Sequence, residues 1–126
     1  MRYLALDVGD RRIGLAVGED AFGIARPLET LKRRSLDRDL ATLRSIAAKE
    51  EVAALVIGLP LTLRGEEGPQ ATRVRRFADA CAVLGFPIEL VDERFTTAEA
   101  AGRGARDLDA GAARVLLEDF FHGRAR

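Results

Sequence analysis

Apolar positions come first in short alternating or continuous runs and later at helical spacing. Residues 3–6 form an apolar run that stops at Asp7-Val8-Gly9-Asp10, and residues 13–18 form a second. With Gly9-Asp10-Arg11-Arg12 between them, the pattern predicts a β-hairpin. A third extended stretch, 22–31, contains Pro27, which cannot donate to a sheet ladder and so belongs at an edge or bulge. Leu36, Leu40, Leu43 and Ala47 recur at helical spacing and predict an amphipathic helix over 36–50. Residues 53–58 are continuously apolar and too few for a helix, as expected of a strand covered on both faces.

Between 59 and 69, Pro60, Gly65, Gly68 and Pro69 surround Glu66 and Glu67, which predicts a loop long enough to have a task. Val74, Phe77, Ala78, Cys81 and Leu84 then form the stripe of a second helix, stopped by Gly85-Phe86-Pro87. Residues 88–91 predict another buried strand, ending at Asp92-Glu93-Arg94. Thr96 with Glu99 makes a capping box for a short helix. Residues 109–121 predict a last helix with Ala113, Leu116, Leu117 and Phe120 facing inward. The order βββαβαβα, free of repeats and low-complexity tracts, implies an α/β fold. Its mixed five-stranded sheet would have three antiparallel N-terminal strands and flanking helices.

At 126 residues the chain fits one domain over 1–126, and 48% hydrophobic with 32% charged residues is ordinary globular composition. Cys81 is the single cysteine, so neither a disulfide framework nor a cysteine zinc site is available. Its place on a helix stripe marks it as a small buried hydrophobe. The N-terminal apolar run meets Asp7 too soon for a secretory or membrane segment, which predicts a cytoplasmic protein with no membrane partner. The 20 basic and 20 acidic residues cancel. All the basic residues except Lys32 and Lys49 are arginine, the side chain suited to bidentate phosphate contacts, although a GC-rich genome gives the same bias.

Three acids stand at element ends. Asp7 closes the first strand, Glu93 follows a later one, and Asp109 opens the last helix on the face of 113, 116 and 120. Ligand crevices of such sheets lie at strand ends. A carboxylate at that edge costs several kcal/mol unless bonded, paired or coordinated. Three converging acids would repel each other, and Mg²⁺ or Mn²⁺, which take carboxylate oxygens, would relieve the conflict. Each acid also has a plainer role: Asp7 as a turn residue, Asp109 as an N-cap, Glu93 as a partner of Arg94 or another arginine.

Taken together the motifs resemble the YqgF/RuvX family, a small branch of the RNase H-like, RuvC-like nucleases. They are residues 6–16, Leu-Asp-Val-Gly-Asp-Arg-Arg-Ile-Gly-Leu-Ala; Ile57-Gly58-Leu59-Pro60 with Gly65 and Gly68; Asp92-Glu93-Arg94-Phe95-Thr96-Thr97 with Ala98 and Ala100; and Asp109-Ala110-Gly111-Ala112-Ala113 with Leu116, Leu117 and Phe120. The resemblance implies an RNase H-like fold in which Asp7, Glu93 and Asp109 are the catalytic acids and hold the metal. Asp92 would be a supporting acid or the alternative ligand, and Arg11, Arg12, Arg94 and Thr96 would contact substrate. The chain departs from the family pattern between Thr97 and Asp109, where it is shorter and a lysine-rich stretch is reduced to Arg103 and Arg106. At Gly111 a larger apolar residue is common, and the glycine is expected to admit a close helix-to-sheet approach.

These residues suit two-metal hydrolysis of phosphodiesters, with one ion activating water and the other stabilising the leaving oxygen. No protein nucleophile is needed, and none offers itself, because the sole histidine, His122, lies beyond the motifs at a helix end. The expected substrates are branched DNA such as Holliday junctions, precursor ribosomal RNA, or both. A homodimer would suit symmetric junction cleavage and a monomer RNA trimming. The alternatives are a non-catalytic nucleic-acid or ribosome-associated module, and an actin-like phosphate loop at Asp7-Val8-Gly9, for which the chain is a domain short.

Overall fold

The computed structural model describes residues 1–92 and 108–123, with the side chains of 108–110 outside that description. Strand β1 (Arg2–Val8) pairs antiparallel with β2 (Arg12–Glu19) through a turn closed by the Gly9 N–H donating to the Arg12 carbonyl at 2.8 Å. The expected hairpin is therefore present. The third stretch divides into β3 (Ile24–Pro27) and a two-residue β4 (Leu31–Lys32), both antiparallel to β2, so the described sheet has six strands rather than five. Pro27 ends β3, the outermost strand on this side, where its missing donor costs no ladder bond. Strands β5 (Ala54–Leu59) and β6 (Ile88–Asp92) continue the sheet in parallel, giving the order β3-β2-β1-β5-β6 with β4 beside β2.

Helix α1 (Leu36–Lys49) starts at Ser35, whose hydroxyl accepts from the Arg38 N–H at 3.2 Å. Its buried stripe is Asp39, Leu43 and Ala47, whereas Leu36, expected inside, is 47% exposed. Helix α2 (Pro69–Ala80) has Pro69 in its first turn, where the missing N–H has no helical partner to lose, and runs into a 3₁₀ turn (Cys81–Leu84). That turn ends at Gly85, whose φ of 83° favours glycine. With Leu59 in β5 and Pro69 in α2, the connecting loop is 60–68. Helix α3 (Leu108–Phe121) matches the last expected helix, while the short helix expected after Thr96 lies outside the described residues.

Side-chain alternation divides the core. Leu4, Leu6, Ile13, Leu15, Leu55 and Ile57 meet α1 and α2 on one face. Ala5, Ala16, Ala25, Val56 and Val91 meet Ala113, Leu116 and Leu117 of α3 on the other. Strand β6 is a correction to the expected buried strand: it is outermost among the described strands, Glu89 and Leu90 are exposed, and only Val91 is buried. No helix among the described residues is long and apolar enough to cross a membrane.

Candidate active site

Asp7 is the last residue but one of β1, half-buried, and on the α3 face by alternation with Tyr3 and Ala5. Its cross-strand partner is Gly14, and Gly58 follows the Leu6–Ile57 pair on the other side. Glycines therefore flank Asp7 on both sides of β1.

Helix α3 reaches this end of the sheet because its other end is clamped at the start of β1. The Tyr3 ring meets Phe120 and Phe121 edge-on, with centroids 5.2 and 5.7 Å apart. The Ala25 N–H donates to Glu118 Oε2 at 3.0 Å, and His122 Nε2 lies 3.1 Å from the Gly23 carbonyl oxygen. The helix thus runs antiparallel to β1. From Phe120 back to Asp109 it spans about 16 Å, and from Tyr3 to Asp7 the strand spans about 13 Å, at about 1.5 and 3.3 Å per residue. The backbone of Asp109 therefore arrives at the Asp7 end. Asp92 ends β6 on the alternation of Ile88, which packs with the large cluster, so it stands on the face opposite Asp7. Glu93, Arg94 and Thr96 lie outside the described residues, as does the side chain of Asp109. Among the described residues no three His, Cys, Asp or Glu gather as a metal site.

The turn after Asp7 is buttressed from below. Arg33 Nη1 donates to the Gly9 carbonyl at 2.8 Å, Arg33 Nε is 3.6 Å from Asp39 Oδ2, and the guanidinium sits 4.9 Å from the Phe77 ring centre. Asp39, only 2% exposed, also accepts from the Arg34 N–H through Oδ1 at 3.0 Å. Arg73 of α2 donates to Asp10 Oδ1 at 3.2 Å. Arg33 and Asp39 escape a hydrophobicity pattern. The only signal for them is an acid inside the predicted stripe of α1, three residues after Leu36, with a basic run just before the helix. Arg11 and Arg12 stand exposed on the turn itself. Cys81 is fully buried, and burial pushes its thiol up to about 12 against the opposing pull of Arg33, so it is no nucleophile at neutral pH.

The family described as "RuvX: Holliday junction resolvase" matches residues 1–123. The chain belongs to the RuvX family. Relatives named "Putative pre-16S rRNA nuclease" come from Anaeromyxobacter sp. (strain Fw109-5), 43% identical with 98% of both chains covered, and Chloroflexus aggregans, 39% identical with 96% of this chain and 93% of the relative covered. The first alignment runs over 135 positions, so that relative carries residues this RuvX chain lacks. In fold, the chain resembles T. thermophilus RuvC in complex with a Holliday junction substrate, with a TM-score of 0.63, 19% identity, and 100% and 98% of the two chains covered. It also resembles the large terminase nuclease of phage G20c, with a TM-score of 0.53, 14% identity, and 89% and 56% covered. These likenesses bear out the RNase H-like fold expected from the motifs.

Proposed function

We propose that this RuvX chain is a nuclease of one domain that hydrolyses phosphodiester bonds in nucleic acid with Mg²⁺ or Mn²⁺, using Asp7, Glu93 and Asp109. The observation that carries the reading is the antiparallel seat of α3 on β1, which takes an acid-bearing helix start to the strand end bearing Asp7. The donor set is carboxylate oxygen throughout, suited to hard divalent cations. Asp92 on the opposite face supports Glu93, the next residue along, as the ligand.

When bound, the metal supplies a polarised water and neutralises charge on the phosphate. Asp7 contributes an acceptor fixed by a paired strand, and the Arg33–Gly9 bond holds the following turn in place. Arg11 and Arg12 meet the phosphate backbone there, with Arg94 and Thr96 as further contacts. The substrate is a four-way DNA junction, as the family description indicates, or a ribosomal RNA precursor, as the relatives' names indicate. Junction cleavage would call for two copies of the chain and RNA trimming for one.

The deciding experiment offers pure protein a four-way junction, duplex and single-stranded DNA, and a ribosomal RNA leader, with Mn²⁺ and then Mg²⁺. Cleavage is expected for the wild type and abolished in Asp7→Asn with an unchanged circular dichroism spectrum. An active Asp7→Asn would overturn the assignment. Of Asp92→Asn and Glu93→Gln, the second is expected to be inactive.

A further inference from the structure

We propose that Lys32, Arg34 and Arg38 extend the phosphate contact at Arg11 into a second contact surface for the backbone of the nucleic acid, beyond the turn that follows the acid end of β1. The proposal rests on the nucleic-acid reading above and adds where the strand leaving the acids runs.

The fold gathers these cations from separate segments. The β2–β4 register sets Arg12 directly opposite Lys32. The Arg33 N–H donates to the Arg11 carbonyl at 2.9 Å, drawing the hairpin turn against the basic run at 32–34. A cavity of about 460 Å³ opens between them, bounded by Asp10, Arg11, Lys32, Arg33, Arg34 and Asp39. Its two acids are engaged, Asp10 by Arg73 and the buried Asp39 by Arg33 and the Arg34 N–H. Arg34 reaches along α1, with Nη2 3.4 Å from Thr42 Oγ1, toward Arg38 one turn into the helix.

Among the described residues Arg11, Lys32, Arg34 and Arg38 are exposed and enter no ion pair. The whole chain carries no net charge, so this local surplus is not a reflection of general basicity. A small anion would meet one or two of these groups. A polyanion with regularly spaced phosphates meets the whole strip, and arginine's fork suits each phosphate in turn.

The test measures fluorescence anisotropy of a labelled DNA duplex and a labelled single-stranded RNA, with chelator present so that nothing is cut. The variants are Lys32→Gln/Arg34→Gln/Arg38→Gln and, as a control on α1 and α2, Arg44→Gln/Arg76→Gln. On duplex the triple variant is expected to lose about tenfold or more in affinity near 0.1 M salt. Its plot of log affinity against log salt should be shallower by up to about 2.7, since each of the three phosphate contacts contributes about 0.9. The control keeps wild-type values. The triple variant's melting temperature stays close to that of the wild type, because the three side chains are exposed and enter no ion pair among the described residues. Affinity and slope unchanged on both probes would overturn the surface, and so would a wild type that binds neither probe. The Asp7→Asn cleavage assay is independent of these results. A cleaving wild type with an unaltered triple variant removes the surface and keeps the nuclease, whereas weakened binding without Asp7-dependent cleavage keeps the surface and removes the nuclease.

Discussion

On β1, Leu4, Leu6 and Val8 enter the cluster shared with α1 and α2, while Tyr3, Ala5 and Asp7 alternate onto the side of α3. Strand β2 repeats the division, with Ile13, Leu15 and Val17 on the first face and Ala16 on the second, and so does β5, with Leu55, Ile57 and Leu59 against Val56. One face fills volume with branched side chains and covers itself with two helices. The other keeps its side chains small and carries a single helix. Burial on the first face supplies most of the apolar stabilisation. The second face gives up apolar area and seats the backbone of α3 along β1, β2 and β3.

Substitutions on the two faces should therefore fail differently. The largest effect is expected from Ile57→Ala, which opens a cavity in the filled face and should cost about 2–5 kcal/mol in denaturant unfolding, with cleavage per folded molecule retained. Ala16→Leu wedges α3 away from the sheet, at about 1–3 kcal/mol, but should lower cleavage by far more than its stability loss explains. Equal loss of stability and cleavage in both variants would erase the distinction. Cys81 tests how dry the filled face is. Its thiol is raised by burial, so the folded state holds the proton more tightly than the unfolded chain. The stability this gives is complete below the ordinary thiol range and lost as pH rises from there toward about 12. Wild type should lose on the order of 1 kcal/mol more than Cys81→Ala between neutral pH and pH 10, measured by urea unfolding. The smallest effect is a gain. A Cβ at Gly111 meets nothing within 4 Å among the described residues, contrary to the close approach expected there, so Gly111→Ala should stabilise by about 0.5–1 kcal/mol.

The close contact instead falls at Gly18, where a Cβ would stand 2.6 Å from the Ile24 carbonyl oxygen and 3.1 Å from the Phe121 ring. Nothing in the pattern around Gly18 separates it from other strand glycines, because its neighbours come from β3 and α3. The strands 2–8, 12–19 and 54–59 and the first two helices were legible because each is periodic over its whole length. The stretch 22–31 was legible only as extended chain, since the break between Pro27 and Leu31 is set by pairing to β2. Asp39 was hidden because an acid in a helical stripe reads as solvent-facing until the Arg33 side chain and Arg34 N–H that satisfy it are in place. Strand β6 looked central because four residues cannot reveal whether a neighbour lies on one side or two. For the site, the position of Asp7 at a strand end was legible from the run that precedes it. That α3 returns to the same end was not, because it depends on Tyr3 meeting Phe120 and Phe121 across almost the whole chain.

That aromatic clamp has a consequence for how the family can vary. A helix located by its far end does not take its position from the segment that leads into it. The connection between β6 and α3 can lengthen or shorten without moving Asp109 along the sheet. Loop-closure entropy changes by only about 0.6 kcal/mol per doubling of length, so such indels are nearly neutral for stability as well. A relative that carries residues this chain lacks is what this anchoring permits.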